Sequence, residues 1–452
     1  MMKIRIGKSI LALIIALGMI LSCMGAMAEA KNWITAEDIS DMPETTIRYW
    51  YYETPERIAL GQKQVEEFMQ LYPNIKVEGS TAPDNTDNEM LLAYIKTQNH
   101  SSIQQSVNIE DLWYVDHDLL FPLNQFPDFE EVYARFDPDL NYTAADGNVY
   151  SISWYCGPYV MYYNKAYLDE IGWDVNDLPE TYSEYYEFAK AVTNAEKNRY
   201  AISPWVYEEW WRWEFVHQPL YIAAQGNSDM FSEDGQTVSF NNEAMLQSLT
   251  FFKTLFDNGW ALGDTSDIDP FVSGVAASTI NNPELTTIIK ANAADDFEYV
   301  IGPMPIPDGN ERGEFSTFAF VRNFALIEDL YAKDEDEYQR KMRAAWEFMK
   351  FLLSDEQCAA DFEAAGNFPC VVDLDTNPAY AEAIATFGDK FDDFYAYMDD
   401  AVIGDTGNSM ACEVMDTLQK AYLQVVLNGM DPAEALNQAE QEANQIIVEG
   451  RE

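Results

Sequence analysis

Groups that could do chemistry are plentiful in this chain, but few are spaced for catalysis. Its three histidines, His100, His117 and His217, are too far apart for a helical zinc site, and no H-E-x-x-H occurs. There is no G-x-S-x-G nucleophile turn and no G-x-x-x-x-G-K-[ST] phosphate loop. Asp137, Asp139 and Asn141 open like a calcium loop. The sixth position, however, is Tyr142 where a tight turn needs Gly, and the twelfth is Asn148 where a bidentate Glu belongs. Asp264, Asp267 and Asp269 are likewise read as a solvated turn. No metal or other cofactor is expected. Carboxylates are so abundant that many acid–base pairs could be drawn, and sequence gives no separation with which to choose among them.

What stands out instead is flat aromatic surface set among carboxylates and amides. Trp205, Tyr207, Trp210, Trp211 and Trp213 crowd into one short segment. Rings of this kind stack on the apolar faces of a ligand while carboxylates and amides take its hydroxyls. They serve equally as core residues, and for Trp210, Trp211 and Trp213 both readings stand. Trp50 and Tyr51 close a strand-like run, the end at which open α/β sheets place their ligands. Glu110 and Asp111 follow another such run and could reach the same cleft, with a loop-surface role as the plainer reading.

The elements that would position these groups alternate between strand and helix. Thr46 to Tyr52 has a β pattern, and Val65, Phe68, Met69 and Tyr72 recur at helical spacing before Pro73-Asn74 ends the helix. Ile75 to Glu78 resumes a strand, so the segment predicts a β-α-β unit with a right-handed crossover. Thr181 and Glu184 form a T-x-x-E capping box. Asn258-Gly259 ends a helix that carries Met245, Leu249, Phe252 and Phe256 on one face. Asp431-Pro432 with Glu434 starts a last helix. The fold class is α/β, with helical additions toward the C-terminus.

Residues 1–30 are read as an export signal: Lys3, Arg5 and Lys8 precede the apolar run Ser9 to Leu21, and Ala26-Met27-Ala28 offers a cleavage point. The run is too short to span a bilayer. Ile20-Leu21-Ser22-Cys23 also resembles a lipobox, which makes Cys23 a lipidation candidate, although release without an anchor is favoured. Three of the 27 Lys+Arg and one of the 77 Asp+Glu lie in this segment, so the rest carries 24 basic against 76 acidic residues. Such a surface repels nucleic acid and anionic lipid and disfavours phosphate-bearing ligands. Cys156, Cys358, Cys370 and Cys412 are too few for a disulfide scaffold, and a Cys358–Cys370 bond is the one pairing expected.

The order of motifs resembles the family 1 extracellular solute-binding proteins of ABC importers, the maltose-binding-protein-like group. The likeness runs from Glu67-Phe68 and Tyr72-Pro73-Asn74-Ile75 through Asp146-Gly147-Asn148-Val149-Tyr150 and Tyr162-Tyr163-Asn164-Lys165. It continues in Pro179-Glu180-Thr181-Tyr182-Ser183-Glu184, where Tyr182 replaces the usual Trp, and in Phe271 to Pro283 (FVSGVAASTINNP). Gly302-Pro303-Met304-Pro305, Ala345-Trp346-Glu347-Phe348 and Gly366-Asn367-Phe368-Pro369 follow in family order.

The resemblance implies a two-lobed, periplasmic-binding-protein-like fold with ligand held between discontinuous lobes. The expected division is 31–155 with 270–315 for lobe 1 and 156–269 with 316–452 for lobe 2. Crossings are expected near Ser153 to Tyr159, near Asp269, and near Glu314 to Phe318. The implied protein is not an enzyme. It is a monomeric extracellular or periplasmic subunit that binds a small solute, a carbohydrate or oligosaccharide first, and passes it to an ABC permease. Candidate ligand contacts are Trp50, Tyr51, Asp111, Trp154, Tyr155, Trp205, Tyr207, Trp211, Asn281, Asn282 and Glu284. Trp50 and Trp154 are the preferred stacking platforms. Glu284 departs from the family, in which a Trp often follows the N-G-P turn, and that departure opens a second ligand class, a cationic or amine-bearing solute. A secreted glycan-degrading enzyme and a surface adhesion or sensing module are the readings from other classes.

Overall fold

The computed structural model describes residues 31–51, 54–83, 88–225, 230–263, 269–388, 390–403 and 408–450. The export-signal segment, Cys23, Asp264 and Asp267 lie outside the described residues.

The first β-α-β unit forms as its pattern predicts. Strand β1 (Thr45–Tyr51) alternates inward and outward, burying Ile47, Tyr49 and Tyr51. The Pro55–Leu71 helix starts at Thr54, whose side chain accepts from the Arg57 amide, and it buries Val65 and Phe68 against the sheet. Strand β2 (Ile75–Thr81) then runs parallel to β1, in register from Thr45–Ile75 to Tyr51–Thr81. Other local signals hold as well. Glu184 accepts from the Thr181 amide at 2.9 Å, and Thr181 Oγ1 accepts from the Glu184 amide at 3.3 Å. Asp431 caps the Pro432–Glu449 helix.

Two sheets organise the described residues. The larger contains β3 (Ile103–Val107), β4 (Ser151–Pro158), β8 (Thr317–Leu326), β9 (Phe368–Pro369) and β10 (Ala401–Ile403) beside β1 and β2, in the order β2-β1-β3-β8-β4-β9 with β10 on β8. The smaller joins β5 (Val160–Asn164) to β6 (Ser278–Asn281) and β7 (Tyr299–Gly302), both antiparallel to it. The chain therefore crosses at Tyr159 between β4 and β5, and again between β7 and β8. These crossings agree with two of the three expected.

Strand pairing corrects the expected lobe boundaries. Residues 270–315 carry β6 and β7, which belong with β5 and not with the first lobe. Residue 316 onward carries β8, β9 and β10, which complete the first sheet. The Glu335–Leu352 and Asp355–Ala365 helices also pack on β1 and on the Pro55–Leu71 helix. No crossing falls at Asp269, whose carboxylate accepts from Thr279 Oγ1 and Asn281 Nδ2 of the smaller sheet, each at 3.1 Å. Only after β10 does the chain return, as the Ala411–Asn428 helix packs against the Glu243–Asp257 helix of the second lobe. The misreading has a physical source: pairing between distant strands is not encoded in local pattern, whereas strand existence is.

The cysteine expectation is also corrected. Cys156, Cys358, Cys370 and Cys412 are all buried free thiols. Cys358 Sγ turns toward the Leu352 carbonyl oxygen at 3.8 Å. Cys370 lies on β9's far end, its amide bonded to the Trp154 carbonyl at 3.1 Å, and its thiol neighbours that of Cys156.

Candidate functional site

The carboxyl ends of β1, β2 and β3 point toward the second lobe, the place where open α/β sheets receive ligand. Opposite them, lobe 2 presents an irregular helical segment in which Trp210–Arg212 passes into a π-helical turn, Trp213–His217, and on into Gln218–Gln225. Wide turns of this kind recur at functional sites. The ring of Phe215 stacks on Tyr159 of the crossing at 5.5 Å and meets Phe320 of β8 edge-on at 6.0 Å. This contact fixes the π-helical turn against the first lobe.

Charged side chains meet at that junction. Arg322 is the one charged residue of β8 and pairs in register with Val107 on one side and Tyr155 on the other. Glu110 Oε2 accepts from the Val107 amide at 3.0 Å, which holds its carboxylate at the same strand end. Glu214 enters from lobe 2. Burial pushes its carboxyl up to about 8, Arg322 opposes that shift and Glu110 adds to it. Burial raises Glu110 as well, again against Arg322. A few residues along, burial holds His217 neutral down to about 3. A cavity of about 610 Å³ is lined by Leu112, Asp116 and His117 of lobe 1, by Asp234 and Gly235 of lobe 2, and by Asn408, Ser409 and Met410 ahead of the Ala411–Asn428 helix. A second cavity, of about 490 Å³ beside Arg48 and His100, lies at the opposite end of β1 and away from the junction.

The expected ligand contacts divide sharply on this frame. Trp205, Tyr207 and Trp211 come together, half-buried, around the guanidinium of Arg212, which lies 3.9, 4.3 and 3.4 Å from their ring centroids. Arg212 is itself buried and faces Glu209 at 3.6 Å. Trp50 is half-buried, its ring edge-on to Tyr94 at 5.3 Å.

The remaining lobe 1 candidates are corrections. Tyr51 is buried over Gly61 and Gly79, where a Cβ would collide with its ring. Trp154 is buried with one face stacked on Phe324 at 4.2 Å, so it is no open platform. Tyr155 is buried, and its hydroxyl accepts from Arg57 Nη1 at 2.7 Å. Asp111 is fully engaged: Ser106 Oγ, Ser151 Oγ at 2.5 Å and Asn323 Nδ2 at 2.7 Å all donate to it inside the lobe. Position at a strand end or a lobe crossing suggested the cleft for these four, but β4 is buried along its whole length and Asp111 turns inward from its helix.

The turn after β6 is likewise built into the scaffold. Asn281 binds Asp269, Asn282 is buried and its Oδ1 accepts from the Glu284 amide at 3.1 Å, and Tyr162 Oη donates to the Asn282 carbonyl at 2.6 Å. Glu284 bridges the lobes. Its Oε1 lies 4.0 Å from Arg57 Nη1, and its Oε2 accepts from Asn367 Nδ2 at 3.2 Å. Arg57, buried at the start of its helix, also faces Asp361 at 3.3 Å. Gly157 lies beside this bridge at the end of β4. A Cβ there would come within 2.8 Å of Pro283, a close approach between the lobes that only glycine permits.

Sequence reasoning missed Arg57, Arg212, Glu214 and Arg322. Two of them did carry a signal, since Arg322 and Glu214 are charges inside aromatic and apolar runs, where a burial cost demands partners.

Residues 63–388 match the model of the bacterial extracellular solute-binding proteins, and the chain belongs to that family. Over 228 residues it is 27% identical to an arabinooligosaccharide-binding protein of Halalkalibacterium halodurans, a match that covers 49% of this chain and 44% of the relative. The match therefore spans less than half the length of that relative. Among solved structures it resembles the GacH receptor of Streptomyces glaucescens, determined unliganded and with acarbose (TM-score 0.74, 18% identity, 89% of this chain and 98% of that one). It also resembles maltose-bound MalE3 of T. maritima (TM-score 0.72, 19% identity, 89% and 99%). At such identities the likeness shows the fold, the two-lobed α/β architecture of maltose-binding proteins. Among the described residues no helix is long and apolar enough to cross a membrane, and no cluster of three His, Cys, Asp or Glu could hold a metal ion.

Proposed function

We propose that this protein is the solute-binding subunit of an ABC importer and that it takes a small carbohydrate or oligosaccharide between its lobes. The observation that carries this reading is the junction itself. Two α/β lobes joined by crossing strands bring a carboxyl and aromatic rings from one side to a guanidinium and a carboxyl on the other. A cavity of about 610 Å³ lined by residues of both lobes is of the size that holds a small ligand. Relatives named for arabinooligosaccharide and erythritol/L-threitol binding support a polyhydroxylated ligand. The second ligand class, a cationic solute, needs Glu284 as a counter-charge, and that carboxylate already faces Arg57 and Asn367.

On this reading the protein acts outside the membrane as a monomer, hands its solute to permease subunits and catalyses nothing. Hinge crossings let an open form close on ligand. Calorimetry against a panel of neutral saccharides, with product analysis of the same mixtures, tests it. Saturable heat without new products is expected; turnover of a saccharide would establish the enzyme reading instead.

A further inference from the structure

The centre of the junction bears on which solute is taken, an inference that rests on the proposal above. Glu214 is 2% exposed, and its Oε2 has no hydrogen-bond partner among the described residues. A buried carboxyl oxygen left in this state costs free energy until something binds it. Arg322 is the one charged residue of β8 and stands between Val107 and Tyr155 in the sheet. Glu110 is tied to the Val107 amide at that strand end, and the Phe215 ring holds the π-helical turn against Tyr159 and Phe320.

We propose that Glu214 and Arg322, one from each lobe, are the specificity-determining pair of the cleft and select an uncharged ligand with adjacent hydroxyls. A carboxyl accepts from one hydroxyl while a guanidinium donates to its neighbour, so a vicinal pair satisfies both lobes at once. Charge balance selects against ions. Glu110 offsets Arg322, and burial pushes the Glu214 carboxyl up to about 8, so Glu214 is uncharged at neutral pH. An anion would also meet the Glu110 carboxyl, and an ammonium group would meet Arg322. The titratable groups around this seat are Glu110, Asp111 and Tyr114 of the Asn108–Asp116 helix, Arg322 of β8, and Cys412 of the Ala411–Asn428 helix, with Glu413 and Asp416 beside Cys412.

The test is calorimetry of the full chain with arabinotriose, maltotriose and erythritol, beside the glucosamine dimer and a sugar phosphate. A neutral member should bind and the two charged probes should not. E214A and R322Q should each lower the affinity for that neutral ligand by about tenfold or more. E214Q, which keeps the shape of the protonated acid, should recover most of what E214A loses.

A merely structural role for Glu214 would not produce a proton linkage. The buried carboxyl titrates at about 8 before ligand is added, so affinity for a ligand that pairs with its protonated form should be level below about 8 and fall above it. E214Q should abolish that slope. If E214A fails to fold, the slope of wild type against E214Q still decides. Unchanged affinity in E214A and R322Q, or a slope that persists in E214Q, would overturn the pair while leaving saccharide binding intact. Tighter binding of the glucosamine dimer would overturn the ligand class. No binding of any saccharide by the wild type would overturn the underlying function.

Discussion

The two lobes treat their aromatic residues differently. In lobe 1 the rings at the ends of β1 and β4 are enclosed: Tyr51 covers two glycines and Trp154 is sandwiched into the sheet's core. In lobe 2, Trp205, Tyr207 and Trp211 surround Arg212 and remain half-buried. A ring on a central strand is covered by whatever layer packs on that face of the sheet. A ring on an irregular helical segment at the lobe's edge keeps one side open.

Substitutions should separate these roles, and the largest effect is expected in lobe 1. Trp154→Ala removes a buried ring and should destabilise the fold by about 3–5 kcal/mol, read as a loss of thermal stability with or without ligand. Asp361→Ala removes the nearer of the two carboxylates that face buried Arg57 and leaves Glu284 at 4.0 Å, and a cost of about 1–3 kcal/mol is expected in denaturant unfolding. A drop below about 1 kcal/mol in either variant would mean that lobe 1 tolerates the loss and that the contrast between lobes is weaker than drawn.

Smaller effects should fall on binding. Trp211→Ala should leave the melting temperature nearly unchanged and weaken saccharide binding by at least the roughly 0.5–1.5 kcal/mol of a ring contact. Unaltered affinity would place the ligand away from the Arg212 cluster.

His217 supplies a pH test of lobe 2. Its folded-state pKa is depressed to about 3, so the stability it contributes is present above its unfolded value, about 6.5, and is lost as pH falls through that window. His217→Gln should flatten this acid limb in unfolding curves measured from neutral to about pH 4. The smallest expectation concerns the cysteines. Mass mapping of the unreduced protein should return Cys358 and Cys370 as thiols, and Cys358→Ser should not alter the hinge or binding.

Much of the fold was legible before any coordinates. The β-α-β start, the Thr181–Glu184 box and the Gly259 and Asp431 helix ends follow from local rules, because capping, turn chemistry and periodicity act within a few residues, whereas the crossings were implied only by the family resemblance. The candidate site was legible in part. The Trp205–Trp211 cluster was visible as composition, and Glu284 was singled out by its departure from the family pattern, although its place in a bridge to Arg57 was not. Tyr51, Trp154 and Tyr155 could not be placed, since a strand residue faces either core or cleft according to what packs above it, and Asp111 of the Asn108–Asp116 helix could not be placed for the same reason.

By itself, then, the sequence determined the alternation of strands and helices, their caps and the family to which the chain belongs. Tertiary structure alone decided which lobe owns β6, β7 and β8, that Glu284 faces Arg57, and that the Glu214 carboxyl is buried within electrostatic reach of Arg322. Each of these relates residues a hundred or more positions apart, brought together when two sheets and their covering helices bury apolar area. No local signal distinguishes a charge that waits for a distant partner from one that waits for a ligand. Only the packed junction, with Arg57 answered and the Glu214 oxygen left without a partner, makes that distinction.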